Sequence, residues 1–429
     1  MSVKLLLNPN LRWFLAGMIA ANIAGQMAYS LLPLYLVDMG ATVGQVGLVF
    51  TIASLVPTTL QIFGGWLSDT IGRLKAIALG SSIAVVGYVL FFLSPSWEWL
   101  MVGLCVEYIS NAVVGPSFGA YVAEQSEESQ RGRVFGLTGS IYMIVTVIGP
   151  ALAGFIAYRL GFRPMLLIAL IFYTIATGVR VWMARAERFS PLKAAEKPTW
   201  SGLKLQMLGM LSLLLAGGIL TWIWVTDAVG DMAFNLIGQL YPIYLKDVGS
   251  QNLEQIGLLN ACWGAAVILA GFTSGWLADR IGERLVIVGG FLIEGIGLAA
   301  LVFGRGFGGF LVAMTIFGLG SGSLMPAYQA LISKVVPEDK RGLAYGLFGT
   351  SLGLLSLPFP WIGAQMWERF GPQTPFWFTV AACVISIPIA WFKFRHSATT
   401  TLEDQRSGGL AQVDQQPQQD EQHHPATDQ

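Results

Sequence analysis

The sequence predicts an all-α membrane protein: twelve transmembrane helices in two parallel six-helix pseudo-repeats around a central cavity. Three observations predict it. Charge is sparse, the apolar runs are as long as a bilayer is thick, and the first half of the chain returns in the second. The 429 residues are 54% hydrophobic and only 12% charged, whereas a soluble domain carries about 25% charge. Ile77 to Leu93, Leu166 to Met183 and Val286 to Phe303 approach or exceed the ~18 apolar residues that suggest a bilayer span. In lipid an open strand leaves backbone groups unsatisfied, so the spans are helices.

The repeat gives the order of elements. Pro33, Tyr35, Leu36, Asp38 and Gly40 return as Pro242, Tyr244, Leu245, Asp247 and Gly249, 209 residues later. After one inserted residue the offset is 210: Gly65-Trp66-Leu67-Ser68-Asp69 matches Gly275-Trp276-Leu277-Ala278-Asp279, and Pro116, Arg131 and Gly161 match Pro326, Arg341 and Gly371. The apolar segments lie near 11–37, 43–68, 76–93, 98–123, 133–158 and 163–184, then 220–245, 253–278, 285–303, 307–333, 343–368 and 374–394. The units are therefore an N-terminal half (1–184), a cytoplasmic linker with an interfacial or kinked segment (185–219), a C-terminal half (220–395) and a disordered cytoplasmic tail (396–429). A straight helix from Lys204 to Lys246 would run about 64 Å, twice the ~30 Å core of a bilayer. That stretch must kink, or its first part must lie along the interface.

Six spans per half put both halves into the membrane from the same side. Of the 25 lysines and arginines, 20 fall on the side of the termini, which makes that side cytoplasmic. Arg180 reads as an anchor at the inner end of span six. The first apolar run, Leu11 to Val37, is too long for a signal core and reads as the first span. Trp97, Trp99, Trp377 and Trp391 sit where interfacial rings are favoured.

Composition excludes several function classes. Zero net charge gives no sign of nucleic acid. Cys105, Cys262 and Cys383 lie inside apolar runs, with no metal or disulfide spacing. The three histidines all lie beyond residue 395, and no nucleophile–base pair or phosphate loop stands out, so no enzyme, metal or cofactor is expected.

The run Gly65-Trp66-Leu67-Ser68-Asp69-Thr70-Ile71-Gly72-Arg73-Leu74-Lys75 closely resembles the signature loop between spans two and three of the major facilitator superfamily, and Gly275 to Arg284 echoes it. Gly65 reads as a close-packing position and Gly72 as the tight turn. The resemblance implies that Asp69 and Arg73 form a cytoplasmic latch with Glu124 and Arg131 as partners. Asp279 would serve a second latch, weakened because Glu283 replaces its arginine. The other reading is a loop that only sets topology. Gly136, Gly149, Pro150 and Gly154 also resemble the helix-five motif of drug/proton antiporters, with Val145 and Ala153 where that motif has glycines. Many antiporters carry an arginine early in span four; here Leu104 stands there, near Glu107.

The resemblance implies a cavity lined by spans one, four, seven and ten, and residue spacing supports it. Asn22, Gln26 and Tyr29 share one face of span one; Asp227, Asp231, Asn235 and Gln239 share one face of span seven. At the 209 offset, Asn22 aligns with Asp231 and Gln26 with Asn235. Span four adds Glu107 and Asn111. A carboxylate in mid-membrane costs ~2.5–3.5 kcal/mol on insertion scales, so Glu107 and Asp231 are the candidate proton carriers. Glu294 reads as peripheral, structural or snorkelling. No arginine is expected in the lining. The expected activity is alternating access by a monomer in the cell membrane, with proton-coupled efflux of a small cationic or neutral amphipathic solute. The alternative is a symporter or uniporter importing a sugar, nucleoside or other metabolite.

Overall fold

The computed structural model describes residues 9–126, 130–186, 218–336 and 341–396; most of the linker and the tail lie outside them, including 205–217. The N-terminal half holds α1 (Pro9–Asp38), α2 (Val43–Ile71), α3 (Arg73–Leu93), α4 (Trp97–Glu124), α5 (Arg131–Leu160) and α6 (Phe162–Ala186). The C-terminal half holds α7 (Ile219–Ile237), α8 (Tyr241–Asp247), α9 (Leu253–Ile281), α10 (Glu283–Phe303), α11 (Gly306–Val335), α12 (Arg341–Ser356), α13 (Phe359–Phe370) and α14 (Thr374–Lys393). Ten of the described helices are long and apolar enough to cross a bilayer. The pairs α7–α8 and α12–α13 supply the other two crossings.

Sequence and structure agree on the repeat at the level of single caps. Thr42 opens α2 with a capping box: its hydroxyl accepts from the Gln45 N–H at 3.2 Å, and the Gln45 side chain accepts from the Thr42 N–H at 2.8 Å. Asn252 and Gln255, 210 residues on, do the same for α9 at 2.9 and 3.0 Å. Gly72 (φ +96°) and Gly282 (φ +89°) make the turns α2–α3 and α9–α10 in a backbone region open to glycine.

Spans seven and eleven are not the continuous helices that their apolar runs predict. Span seven breaks at residues 238–240, and span eleven at 357–358. Their counterparts α1 and α5 run through Pro33 and Pro150 unbroken. Proline removes one helical hydrogen bond and crowds the carbonyl four residues back. In span seven that position is Gly238, a weak helix former, where α1 has Tyr29. In span eleven Pro358 adds to Pro360, so two bonds are lost within one turn.

The halves meet at the end remote from the termini. There α5 packs on α9: a Cβ on Gly257 would lie 2.5 Å from the Pro150 carbonyl oxygen and 2.7 Å from Gly154 Cα. The matching contact joins α2 to α13, where Gly47 lies against Ala364 and Pro360. The Gly44 N–H donates to Glu368 at 2.7 Å, and the Trp361 N–H to Thr51 at 3.1 Å. Exposed large apolar side chains such as Trp13, Phe63, Phe272 and Phe303 are in keeping with a lipid-facing surface.

Candidate functional site

At the terminal end, the α2–α3 loop builds an ion cluster. Arg73 pairs with Asp69 one turn before it, and its Nε donates to Glu124 of α4 at 3.0 Å. Its Nη1 also reaches the Ser68 hydroxyl at 3.1 Å. Arg131, expected as a further partner, instead donates to the Ala123 backbone carbonyl at 3.2 Å, next to Glu124 in sequence.

The second loop carries the same pair with the charges exchanged. Glu283, which matches Arg73, pairs with Lys334, which matches Glu124. Asp279 is exposed and takes no described partner. The expectation of a weaker second latch through Asp279 is therefore corrected. With an acid at 283, Asp279 faces like charge, and the ion pair moves to Lys334.

Gly65 is also corrected. A Cβ there would meet nothing within 4 Å. The close approach belongs to Gly64, pressed on the Ala112 carbonyl, because one residue turns the helix by about 100°.

Mid-bundle polar groups gather around two cavities. The first, about 200 Å³, is lined by Asn22, Gln26 and Tyr29 of α1, Glu107 and Asn111 of α4, Tyr142 of α5, and Tyr173 and Arg180 of α6. Buried Glu107 has both oxygens occupied: the Tyr29 hydroxyl donates to Oε2, and Asn111 Nδ2 to Oε1 at 2.8 Å. Arg180 is no interfacial anchor. It is 4% exposed and donates from Nη1 to the Ser81 hydroxyl at 2.7 Å, so the expectation of an arginine-free lining is overturned. The polar stripe Tyr173, Thr177 and Arg180 on α6, at helical spacing, is the signal that could have revealed it.

The second cavity, about 540 Å³, belongs to α7, α10, α11 and α12. Asp227, Asp231 and Glu294 line it among Phe234, Phe291, Leu324, Met325 and Phe348. The Ser356 hydroxyl, just before the break in span eleven, donates to Asp231 Oδ2. Glu294 is not peripheral or snorkelling: it is buried and accepts from Ser321 at 2.9 Å. Asn235 folds back onto the Asp231 carbonyl at 2.8 Å. Neither Asn235 nor Gln239 lines either cavity.

The repeat, the paired loops and the bundle find a match among known families. The chain fits the Major Facilitator Superfamily profile over residues 14–253 and again over 228–419. The chain belongs to the major facilitator superfamily. It is a multi-pass membrane protein of that transporter family. It is 24% identical over 361 residues to the Multidrug resistance protein MdtG of Dickeya zeae, covering 83% of this chain and 86% of the relative. It is 25% identical over 331 residues to the class G Tetracycline resistance protein of Vibrio anguillarum (76% and 81%), and 22% identical over 387 residues to a Na(+), Li(+), K(+)/H(+) antiporter of Planococcus maritimus (83% and 91%). Among solved structures, a bacterial homologue of the iron transporter ferroportin in an inward-facing state matches with TM-score 0.70 at 14% identity, covering 91% of this chain and 98% of that one. The peptide transporter POT in complex with sulfate matches with TM-score 0.69 at 13% identity (90% and 93%). These structures share the major facilitator fold. Within that fold, Gly149 lies on Gln26 of α1, while Pro150 and Gly154 lie on Gly257, so the helix-five motif sits at contacts within and between the halves.

Proposed function

We propose that this transporter exports a small cationic or neutral amphipathic solute across the cell membrane in exchange for protons, with both termini in the cytoplasm. The observation that carries the reading is the C-terminal cavity. Its volume falls in the ~300–1,000 Å³ range of small-molecule sites. Three carboxylates line it beside aromatic and aliphatic side chains, and its described lining holds no lysine or arginine. That is the chemistry of an apolar cation. The relatives named for multidrug and tetracycline resistance support export, and the antiporter supports ion exchange. Inner-side lysine and arginine support the orientation.

Alternating access then follows from two halves joined at one end. The form described has its halves in contact at the end remote from the termini, which in this orientation is the outer end. Glu107 and Asp231 are the proton carriers, one in each half. Exchanging two protons, one on each carboxylate, for one monovalent cation moves one net charge inward, which across 100 mV is worth about 2.3 kcal/mol, roughly fifty-fold in accumulation.

The test uses inside-out membrane vesicles energised to an acid interior, with ethidium as the probe cation. Wild type accumulates ethidium and dissipates the pH gradient as it does so. Asp231→Asn and Glu107→Gln each lower gradient-driven accumulation at least about tenfold, the effect of losing one charge-assisted contact. Unchanged pH-dependent transport in both variants refutes carboxylate coupling. Accumulation only in right-side-out vesicles makes the protein an importer.

A further inference from the structure

Arg180 is a cation inside the bundle without a counter-ion. It is 4% exposed and lies on the wall of the N-terminal cavity. Its partners are neutral: the Ser81 hydroxyl at 2.7 Å and the Tyr173 hydroxyl. It makes no ion pair with any described carboxylate. Glu107 lines the same cavity, where its oxygens accept from Tyr29 and Asn111, but it lies outside ion-pair distance of Arg180. The Arg180 Nε is buried and has no hydrogen-bond partner. A buried charge without a counter-charge is costly and is retained where it meets a ligand.

The side chain is also held in place. Ser81 comes from α3 and Tyr173 from one α6 stretch nearer the far end; Tyr173 stacks on buried Tyr88 at 4.7 Å between ring centroids. Asn22, Asn111 and Tyr142 stand around the same space as further polar groups. A planar guanidinium on a cavity wall fits one ligand chemistry best, an anion of carboxylate geometry.

We propose that the N-terminal cavity is a subsite for a carboxylate of the transported solute, received by Arg180, so that the solute is amphoteric. Its cationic group lies against Asp227, Asp231 and Glu294, and its carboxylate lies against Arg180. This assignment rests on the C-terminal cavity being the cation site. A solute held by both halves is what a rocking transporter moves, because each half then feels the other through the bound molecule.

The test is equilibrium binding to the purified full chain in detergent, read by fluorescence polarisation. The probes are rhodamine B, which carries a cation and a carboxylate, and its ethyl ester, which carries the cation alone. Wild type binds rhodamine B about tenfold or more tighter than the ester, the size of one charge-assisted bidentate contact. Arg180→Gln removes that preference and leaves ester affinity within about twofold of wild type. Equal affinity of wild type for both dyes overturns the proposal, as does a preference that survives Arg180→Gln. Arg180→Lys keeps the charge but loses the fork; if the glutamine variant does not fold, the lysine variant must lower the preference at least about threefold. Asp231→Asn reads the cation site separately by weakening both dyes alike. If it changes neither dye while Arg180→Gln still removes the preference, the cation reading fails and the carboxylate subsite stands. A free anion is distinguished with chloride. If chloride raises the unfolding midpoint of wild type and not of Arg180→Gln, while the dyes bind equally, the subsite serves an inorganic ion and the amphoteric solute is overturned.

Discussion

The two halves share caps, turns and packing, and differ in their helix breaks and in their cavities. Spans one and five are continuous in the first half; their counterparts seven and eleven are broken in the second. The first cavity is small and has both Glu107 and Arg180 on its wall, not paired with each other; the second is larger and carries three carboxylates. Asp231 and Ser356, one on each broken span, join across it. The breaks and the acids thus coincide in the C-terminal half. A break beside a binding site gives a short helix segment freedom to move without unpacking the bundle. The scaffold is symmetric in its caps and turns, while the helix breaks and most of the cavity acids are concentrated in one half.

The largest expected effect breaks the contact that both halves supply. Gly257 leaves no room for a side chain, since backbone atoms of Pro150 and Gly154 lie in the way. Gly257→Leu must push α9 off α5, and overpacking of this kind costs about 1–3 kcal/mol. Gly47→Leu does the same to α2 and α13, where it meets the Pro360 carbonyl and Ala364. Both variants are expected to lose at least about tenfold in ethidium transport, measured in vesicles at matched protein levels. If only one does so, the two contacts are not equivalent and the pseudo-symmetry of the closed end fails.

The next effect concerns the exchanged charges. Glu283→Lys puts two cations face to face at Lys334, where wild type has an ion pair. Replacing attraction by repulsion at a partly exposed site costs on the order of 1–2 kcal/mol. Transport by this variant is expected to fall about tenfold. Glu283→Lys with Lys334→Glu restores the pair in the polarity used by Arg73 and Glu124, and is expected to recover most of the rate. A double variant as slow as the single one means that the polarity, and not the pairing, matters.

Much of this was legible in residue order. The turn at Gly72 and its echo at Gly282 repeat at one offset, so spacing exposes them, whereas the Arg73 partners Asp69 and Glu124 were implied by the family resemblance of the loop. The stripe on span one and the acids of span seven up to Asp231 also reach cavities. Beyond it, Asn235 turns to its own backbone, because a helical amide can bond the carbonyl four residues back. What was not legible depends on partners far along the chain. Nothing near Glu294 announces Ser321, and nothing near Lys334 announces Glu283. Gly64 and Gly65 differ only in helix phase, which a motif read as a string does not resolve. The break in span seven was visible in principle: Gly238 stands four residues before Pro242, where Tyr29 stands before Pro33.

That last difference yields the smallest and sharpest test. Gly238 ends α7, and its N–H donates to the Phe234 carbonyl at 2.9 Å. Its backbone is in the ordinary right-handed helical region, so alanine fits the conformation already present. A Cβ there would meet the Phe234 carbonyl oxygen at 3.3 Å, a tight contact within one turn. Gly238→Ala therefore stiffens the junction by up to about 1 kcal/mol of helix propensity without emptying or filling a cavity. The unfolding midpoint is expected to stay or rise slightly, while ethidium transport falls about two- to fivefold. The equivalent position in the first half is Tyr29, whose hydroxyl serves Glu107. Tyr29→Phe keeps that helix unbroken and removes only the hydrogen bond. If Gly238→Ala slows transport and Tyr29→Phe changes its pH dependence instead, the second half supplies the hinge and the first supplies a proton site. If Gly238→Ala transports at the wild-type rate, the break in span seven is a packing accommodation to Pro242, and the asymmetry between the halves lies in their charges alone.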